Sequence, residues 1–183
     1  MSVPMDSQTA RTELKTFIEA EKAAFLAHPA FGPLEETVCR KVDSVILQLW
    51  NRNGGLDVPG FALFAVGGYG RGTLHPESDL DLLLFFKDAV SESVVKNVLD
   101  PLWDLPFRVG HQIRQASDFK VFDPSHIESY AAFLDERFLA GNAPTASEFQ
   151  KTILPGFSAR NRDARFAGES AGAPCRTRTG SGW

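Results

Sequence analysis

Between Phe61 and Phe86 the chain reads Phe-Ala-Leu-Phe-Ala-Val-Gly-Gly-Tyr-Gly-Arg-Gly-Thr-Leu-His-Pro-Glu-Ser-Asp-Leu-Asp-Leu-Leu-Leu-Phe-Phe. Two short apolar runs, bounded by glycine and proline, are predicted as buried strands over residues 61–66 and 80–86. The first ends in Gly67-Gly68, ten residues follow, and Asp79-Leu80-Asp81 opens the second. Side chains alternate along a strand, so Asp79 and Asp81 project to the same side with Cα atoms roughly 7 Å apart. Two ionised carboxylates ~4 Å apart repel by about 4 kcal/mol at an effective dielectric of 20. A divalent cation removes that repulsion, and Mg²⁺ suits oxygen ligands while keeping positions open for phosphates and water.

The glycines supply the complementary half. Gly67, Gly68, Gly70 and Gly72 let backbone N–H groups approach phosphate oxygens closely. A short helix is predicted within Tyr69 to Leu74, and its first turn would add partial positive charge. Arg71 can pair with a phosphate bidentately, and Ser78 can bond the loop backbone or a phosphate. No Gly-Lys-Ser/Thr follows the glycines, and no long helix with a distal acid follows them, so neither a P-loop nor a dinucleotide-binding fingerprint is present.

The remainder of the chain sets a modest frame. Its 183 residues suit one domain with a helical appendage, and 43% hydrophobic content supports a core. The 19 basic and 23 acidic residues give a net charge of −4, which argues against broad nucleic-acid binding. Cys39 and Cys175 fit no zinc spacing, and Cys39 falls in a helical pattern as a small core residue. No signal-peptide pattern or membrane-length apolar run is visible, so a cytoplasmic location with no membrane partner is expected.

Helical periodicity covers residues 12–27 and 34–50, the second with Val38, Val42, Val45, Ile46, Leu49 and Trp50 on one stripe. Asn53-Gly54-Gly55 breaks it. Ser91 is the expected N-cap of a helix through Trp103, distorted near its end by Pro101. A third strand is expected over 109–114, and a helix over about 125–139 closed by Gly141-Asn142. A further helix is expected near Thr145, and residues 168–183 read as a disordered tail. These elements divide into an N-terminal helical segment (1–33), a core (34–120), C-terminal helices (121–167) and that tail. The fold class expected is α/β: a small mixed sheet carrying the aspartate pair, flanked by helices from both ends.

At Val66–Leu84 the chain resembles the DNA polymerase β-like nucleotidyltransferases. More narrowly it resembles the N-terminal domain of the bifunctional uridylyltransferase/uridylyl-removing enzymes that act on the nitrogen-signalling protein PII. Leu102-Trp-Asp-Leu105, Val109-Gly-His-Gln-Ile-Arg114, Ile46-Leu-Gln-Leu-Trp50 and Asp135-Glu-Arg-Phe-Leu-Ala-Gly141 carry the match further, although Gln112 departs from the family's usual serine. The resemblance covers about residues 34 to 166. It implies that Asp79 and Asp81 hold Mg²⁺, and that Gly67, Gly68 and their neighbours hold UTP. UMP would pass to a tyrosine of PII with release of pyrophosphate. It also implies a third carboxylate on a later strand. Asp104 is the nearest acid in a matching block, although it precedes that strand, and position 108 on the strand is Arg108. His111 and Arg114 are weaker candidates for substrate contacts.

The family's uridylyl-removing chemistry needs His-Asp motifs, and here His28, His75, His111 and His126 are followed by Pro, Pro, Gln and Ile. A truncated or frame-shifted fragment, retaining the transferase part alone, is therefore expected. Two alternatives stand beside uridylyl transfer: a nucleotide-binding fragment that is slow or inert, and a nucleotidyltransferase that uses another nucleoside triphosphate and acceptor.

Overall fold

The computed structural model describes residues 6–28, 34–52, 58–89, 92–120 and 127–158. Ser91, the Asn53-Gly54-Gly55 break, Cys175 and the tail from residue 168 lie outside the described residues.

Helix α1 (Ser7–Ala27) starts earlier than its apolar periodicity suggests, because the Asp6 carboxylate accepts a hydrogen bond from the Thr9 amide at 2.7 Å. It buries Ala10, Leu14 and Ile18 on one stripe against α2 (Leu34–Arg52). The facing stripe of α2 is Val38, Val42, Val45, Ile46 and Leu49, spaced three and four residues apart as burial of one helical face requires. A Lys41–Glu13 ion pair ties the two helices at their half-exposed edge.

Strand β1 (Phe61–Ala65) is buried at all five positions. It runs antiparallel to β2 (Leu80–Phe86), with Phe61 opposite Phe86 and Ala65 opposite Leu82. Between them lies the four-residue helix α3 (Gly67–Gly70), which begins before the Tyr69–Leu74 span expected of it. Helix α4 (Glu92–Trp103), with Pro101 in its last turn, carries the chain over to β3 (Val109–Gln115). Strand β3 pairs parallel with β2, Leu80 level with Val109 and Phe86 level with Gln115. A 3-10 turn (Ala116–Phe119) follows.

The expected helix over 125–139 is corrected. Helix α5 spans only Ile127–Phe133, and Arg137–Gly141 forms β4, antiparallel to the open edge of β1. A strand buried along its whole length needs partners for the amides and carbonyls of both edges, and β2 serves only one. β4 serves the other despite a sequence with no two-residue alternation, because a bulge between Leu63 and Phe64 resets its register. Gly141 is required there: its φ is +105°, and a Cβ would lie 2.7 Å from the Phe61 carbonyl oxygen. Helix α6 (Ala143–Glu148), capped by Asn142 as it accepts from the Thr145 amide, runs into a π-helical turn (Phe149–Ile153).

Among the described residues the sheet thus has the order β3-β2-β1-β4. One face, with Leu63, Leu82 and Leu84, packs on α1, α2 and α4. The other, with Ala62, Phe64, Val66, Leu83 and Phe85, packs on Phe119, Phe133, Phe149, Leu154 and Phe157. The protein is an α/β fold with a mixed sheet, as expected from its pattern of elements.

Candidate active site

The loop after β1 is held from below. Tyr69 is buried, and its hydroxyl donates to Asp43 Oδ1 at 2.6 Å. Arg137 on β4 grips the same carboxylate with two nitrogens, at 2.7 and 3.1 Å, and donates to the carbonyls of Tyr69 and Gly70. Its guanidinium lies 5.3 Å from the centroid of the Tyr69 ring. Burial first, and then the Asp43 charge, push the Tyr69 hydroxyl well above its ordinary range. The same two causes push the Cys39 thiol up to about 11, so Cys39 stays protonated as a core residue. Gly70 has no room for a side chain, because a Cβ would lie 1.7 Å from the Asp135 carbonyl oxygen.

Above this anchor the chain turns tightly, with Gly67 at φ +59° and Gly72 at φ +80°. The amides of Gly70, Arg71, Gly72 and Thr73 donate to the carbonyls of Val66, Gly67, Tyr69 and Gly68. The amides of Gly67 and Gly68 are not among those taken up inside the turn.

Asp81 sits in this crook. Leu80 and Leu82 point to the helical face with α1 and α2, so Asp81 shares the opposite face with Leu83 and Phe85. Its carboxylate lies between two glycines: a Cβ would be 3.7 Å from Oδ2 at Gly67 and 2.6 Å from Oδ1 at Gly110, its register partner on β3. Desolvation, and then the charge of Asp79, raise the Asp81 carboxyl above its ordinary range. The pair is therefore a concentration of negative charge with little to offset it. Arg108 approaches Asp79 with Nε 3.7 Å from Oδ1, but that side chain is 85% exposed, and such a contact is weak in water. Two carboxylates beside backbone amides that are unpaired among the described residues suit a phosphate-bearing ligand accompanied by a divalent cation.

A sequence model described as "Nucleotidyltransferase domain" matches residues 44–137, a span that contains the turn, the aspartate pair and Arg137. The chain belongs to the nucleotidyltransferase domain family. Among curated relatives, the "Bifunctional uridylyltransferase/uridylyl-removing enzyme" of Vibrio vulnificus is 31% identical over 147 residues, covering 79% of this chain and 17% of the relative. The protein of that name from Bordetella avium is 31% identical over 161 residues, covering 86% and 18%. That from Cereibacter sphaeroides is 41% identical over 95 residues, covering 50% and 10%. The chain thus spans less than a fifth of these relatives' length and matches their N-terminal region. Among solved structures, a mutant form of the toxin-antitoxin MntA-HpeT aligns over 70% of this chain and 98% of its own at 16% identity, with a TM-score of 0.43.

Other residues singled out in the sequence fall at varied places in this nucleotidyltransferase domain. Arg71 is paired with Asp135, Nη1 to Oδ2 at 2.5 Å. Ser78 is exposed, its amide donating to the His75 carbonyl. Asp104 follows α4 and is turned to α1: its carboxylate accepts from the Ser7 hydroxyl at 2.5 Å and its carbonyl from Arg11 at 2.9 Å. Among the described residues no three of His, Cys, Asp and Glu cluster tightly enough to hold a metal, so Asp104 does not join Asp79 and Asp81. His111 is level with Leu82 and therefore on the opposite face, beside Trp103 at 5.8 Å between ring centroids. Arg114 donates to Gln112 Oε1 at 3.1 Å, and its buried Nε has no partner among the described residues.

Gly110, Asp43 and Arg137 carry no site signal in the sequence alone. Gly110 lies in the quoted Val109–Arg114 block, but its importance depends on the register that sets it against Asp81. Gly110→Ala is expected to push the Asp81 carboxylate aside, since the new methyl would stand 2.6 Å from Oδ1. A side-chain tip can move cheaply, so thermal stability should change little, while nucleotide affinity should fall about tenfold or more. Calorimetric titration beside a melting curve separates the two, and unaltered affinity would contradict the close contact.

Proposed function

We propose that this nucleotidyltransferase domain moves UMP from UTP to a tyrosine hydroxyl of protein PII and releases pyrophosphate, acting in the cytoplasm with Mg²⁺. The observation that carries the reading is the Asp79–Asp81 pair set against the Gly67 turn, its mutual repulsion little relieved. The choice of UTP is supported by the names of the relatives, and that of PII by the family resemblance of residues 66–84. Cytoplasmic placement fits the described helices, none of which is long and apolar enough to cross a membrane.

The donor set fits Mg²⁺, which is commonly held by one or two carboxylates together with substrate phosphates. Asp79 and Asp81 would hold it, and it would supply charge neutralisation at the α-phosphate and at the departing pyrophosphate. The amides of Gly67 and Gly68 are assigned to the phosphate oxygens, which they reach without a Cβ in the way. Gly70 and Gly72 shape the turn that presents them. Arg71 and Ser78 flank it, and Arg71 can exchange Asp135 for a phosphate because both partners are accessible. With donor phosphate and acceptor hydroxyl held in line, most of the catalysis is positioning and charge stabilisation.

A second reading, nucleotide binding with little turnover, is favoured by Arg108 standing beside Asp79 where the resemblance implies an acid. Titration of UTP with and without Mg²⁺ tests the common part. Binding is expected only with the cation, and is expected to be lost in Asp79→Asn. Transfer of labelled UMP to PII then separates the readings, and competition among the four nucleoside triphosphates tests the base. Equal binding without Mg²⁺ would overturn both.

A further inference from the structure

The rows of the sheet place a second acid across from the aspartate pair. Ala65 on β1 pairs with Leu82 on β2 and with Arg137 on β4. One residue further, the Val66 amide donates to the Asp81 carbonyl at 3.1 Å, and on the β4 side the next residue is Glu136. Phe64 and Phe138 are opposite each other and both pack in the second cluster, while Arg137 turns to Asp43 beneath the other face. Glu136 therefore shares the Asp81 face, in the row Gly110, Asp81, Val66, Glu136. With strands ~4.8 Å apart, the Asp81 and Glu136 Cα atoms are about 10 Å apart, on either side of Val66.

Glu136 is also held in place. Gln150, on the π-helical turn covering the next rows of this face, donates from Nε2 to Glu136 Oε2 at 2.7 Å. Among the described residues that leaves Oε1 as an acceptor at the edge of the helical cover. On the β3 side the same face offers Arg108, Gly110 and Gln112, none of which can take a proton from a hydroxyl at neutral pH.

We infer that Glu136 is the general base for the acceptor hydroxyl, approaching from β4 while Asp79 and Asp81 hold the donor nucleotide from β2. The inference rests on the nucleotidyl-transfer reading above. The acceptor oxygen forms a bond to the α-phosphorus, the bond from that phosphorus to the bridging oxygen of the β-phosphate breaks, and pyrophosphate leaves with the electron pair. The hydroxyl proton passes to Glu136. Partial burial raises the Glu136 carboxyl above its ordinary range, with the Gln150 hydrogen bond opposing, which strengthens it as a proton acceptor. Asp81 and Asp79 share its face from β2, and Gln150 faces it uncharged from the C-terminal segment. Glu148 is paired with Lys87, and among chain neighbours Asp135 is paired with Arg71.

Glu136→Gln preserves size and the acceptor for Gln150. It is expected to lower kcat for UMP transfer about 100-fold or more, with the KM for UTP within about twofold of wild type. The acidic limb of the wild-type pH profile should vanish with it, and Glu136→Asp should restore part of the rate. Mg²⁺-dependent UTP binding, followed by calorimetry, should survive Glu136→Gln and be lost in Asp81→Asn. A wild-type chain that transfers UMP while Glu136→Gln matches it across the pH range overturns the role of Glu136 alone. A wild-type chain that binds UTP yet transfers nothing overturns it together with the transfer reading.

Discussion

Asp81→Asn is expected to lower UMP transfer about 100- to 1,000-fold, the range typical for removing one charge that stabilises a transition state. It is also expected to raise thermal stability at neutral pH. The Asp81 carboxyl holds its proton more tightly folded than unfolded, because of desolvation at the glycine turn and then the neighbouring Asp79 charge. As pH rises through the interval between its unfolded and folded values, the wild type loses stability, and that loss persists above the interval. Asparagine carries no such penalty. The variant should melt above wild type at neutral pH, and the gap should close as the pH falls below the ordinary carboxylate range. Melting curves across that range, paired with a labelled-UMP assay, check both halves. Undiminished transfer would remove the aspartate pair from the chemistry, and a lower melting point at neutral pH would contradict its unrelieved charge. A residue that destabilises the fold while enabling chemistry is a familiar trade at active sites.

Arg137→Ala is expected to have the largest effect on folding, about 2–4 kcal/mol of lost stability, or a fall in Tm of about 5–15 °C. Arg137 joins β4 to α2 through Asp43, and to the glycine turn through the carbonyls of Tyr69 and Gly70. Truncation leaves Asp43 half-buried with only the Tyr69 hydroxyl, and removes one donor each from the Gly70 and Tyr69 carbonyls, of which Tyr69 keeps the Gly72 amide. Removing one member of such a set costs more than the pair contributes, because the remaining charge is stranded. Lysine cannot reproduce the planar fork, so Arg137→Lys should recover only part of the loss. A double-mutant cycle with Asp43→Asn, read by denaturant unfolding, should return a coupling energy of about 1 kcal/mol or more. Additive effects would show that the network is incidental. Because the turn beside Asp81 rests on this anchor, Arg137→Ala should also weaken nucleotide binding in the fraction that stays folded.

Much of this architecture is legible in the chain. The two apolar runs around Asp79-Leu80-Asp81 are buried strands because backbone burial on both faces demands continuous apolar residues. The stripes of α1 and α2 announce their packing faces, and the turn announces itself by its four glycines. Strand β4 was hidden: Arg137-Phe-Leu-Ala-Gly141 has neither alternation nor flanking turn signals that separate it from the helix before it. It is a strand because β1 has an unpaired edge, which no local window records. Arg71 is a phosphate candidate by its place in the loop, and only the tertiary fold, which brings the turn before β4 to that loop, gives it Asp135 as a partner.

A period of two and residue type alone place two acids at the mouth of a buried strand beside a glycine turn. What surrounds them is set by the fold: Gly110 against Asp81, Arg108 beside Asp79, Arg137 beneath the turn and Glu136 across the row. Those neighbours come from strands paired over long separations, where register, not composition, selects which side chains meet.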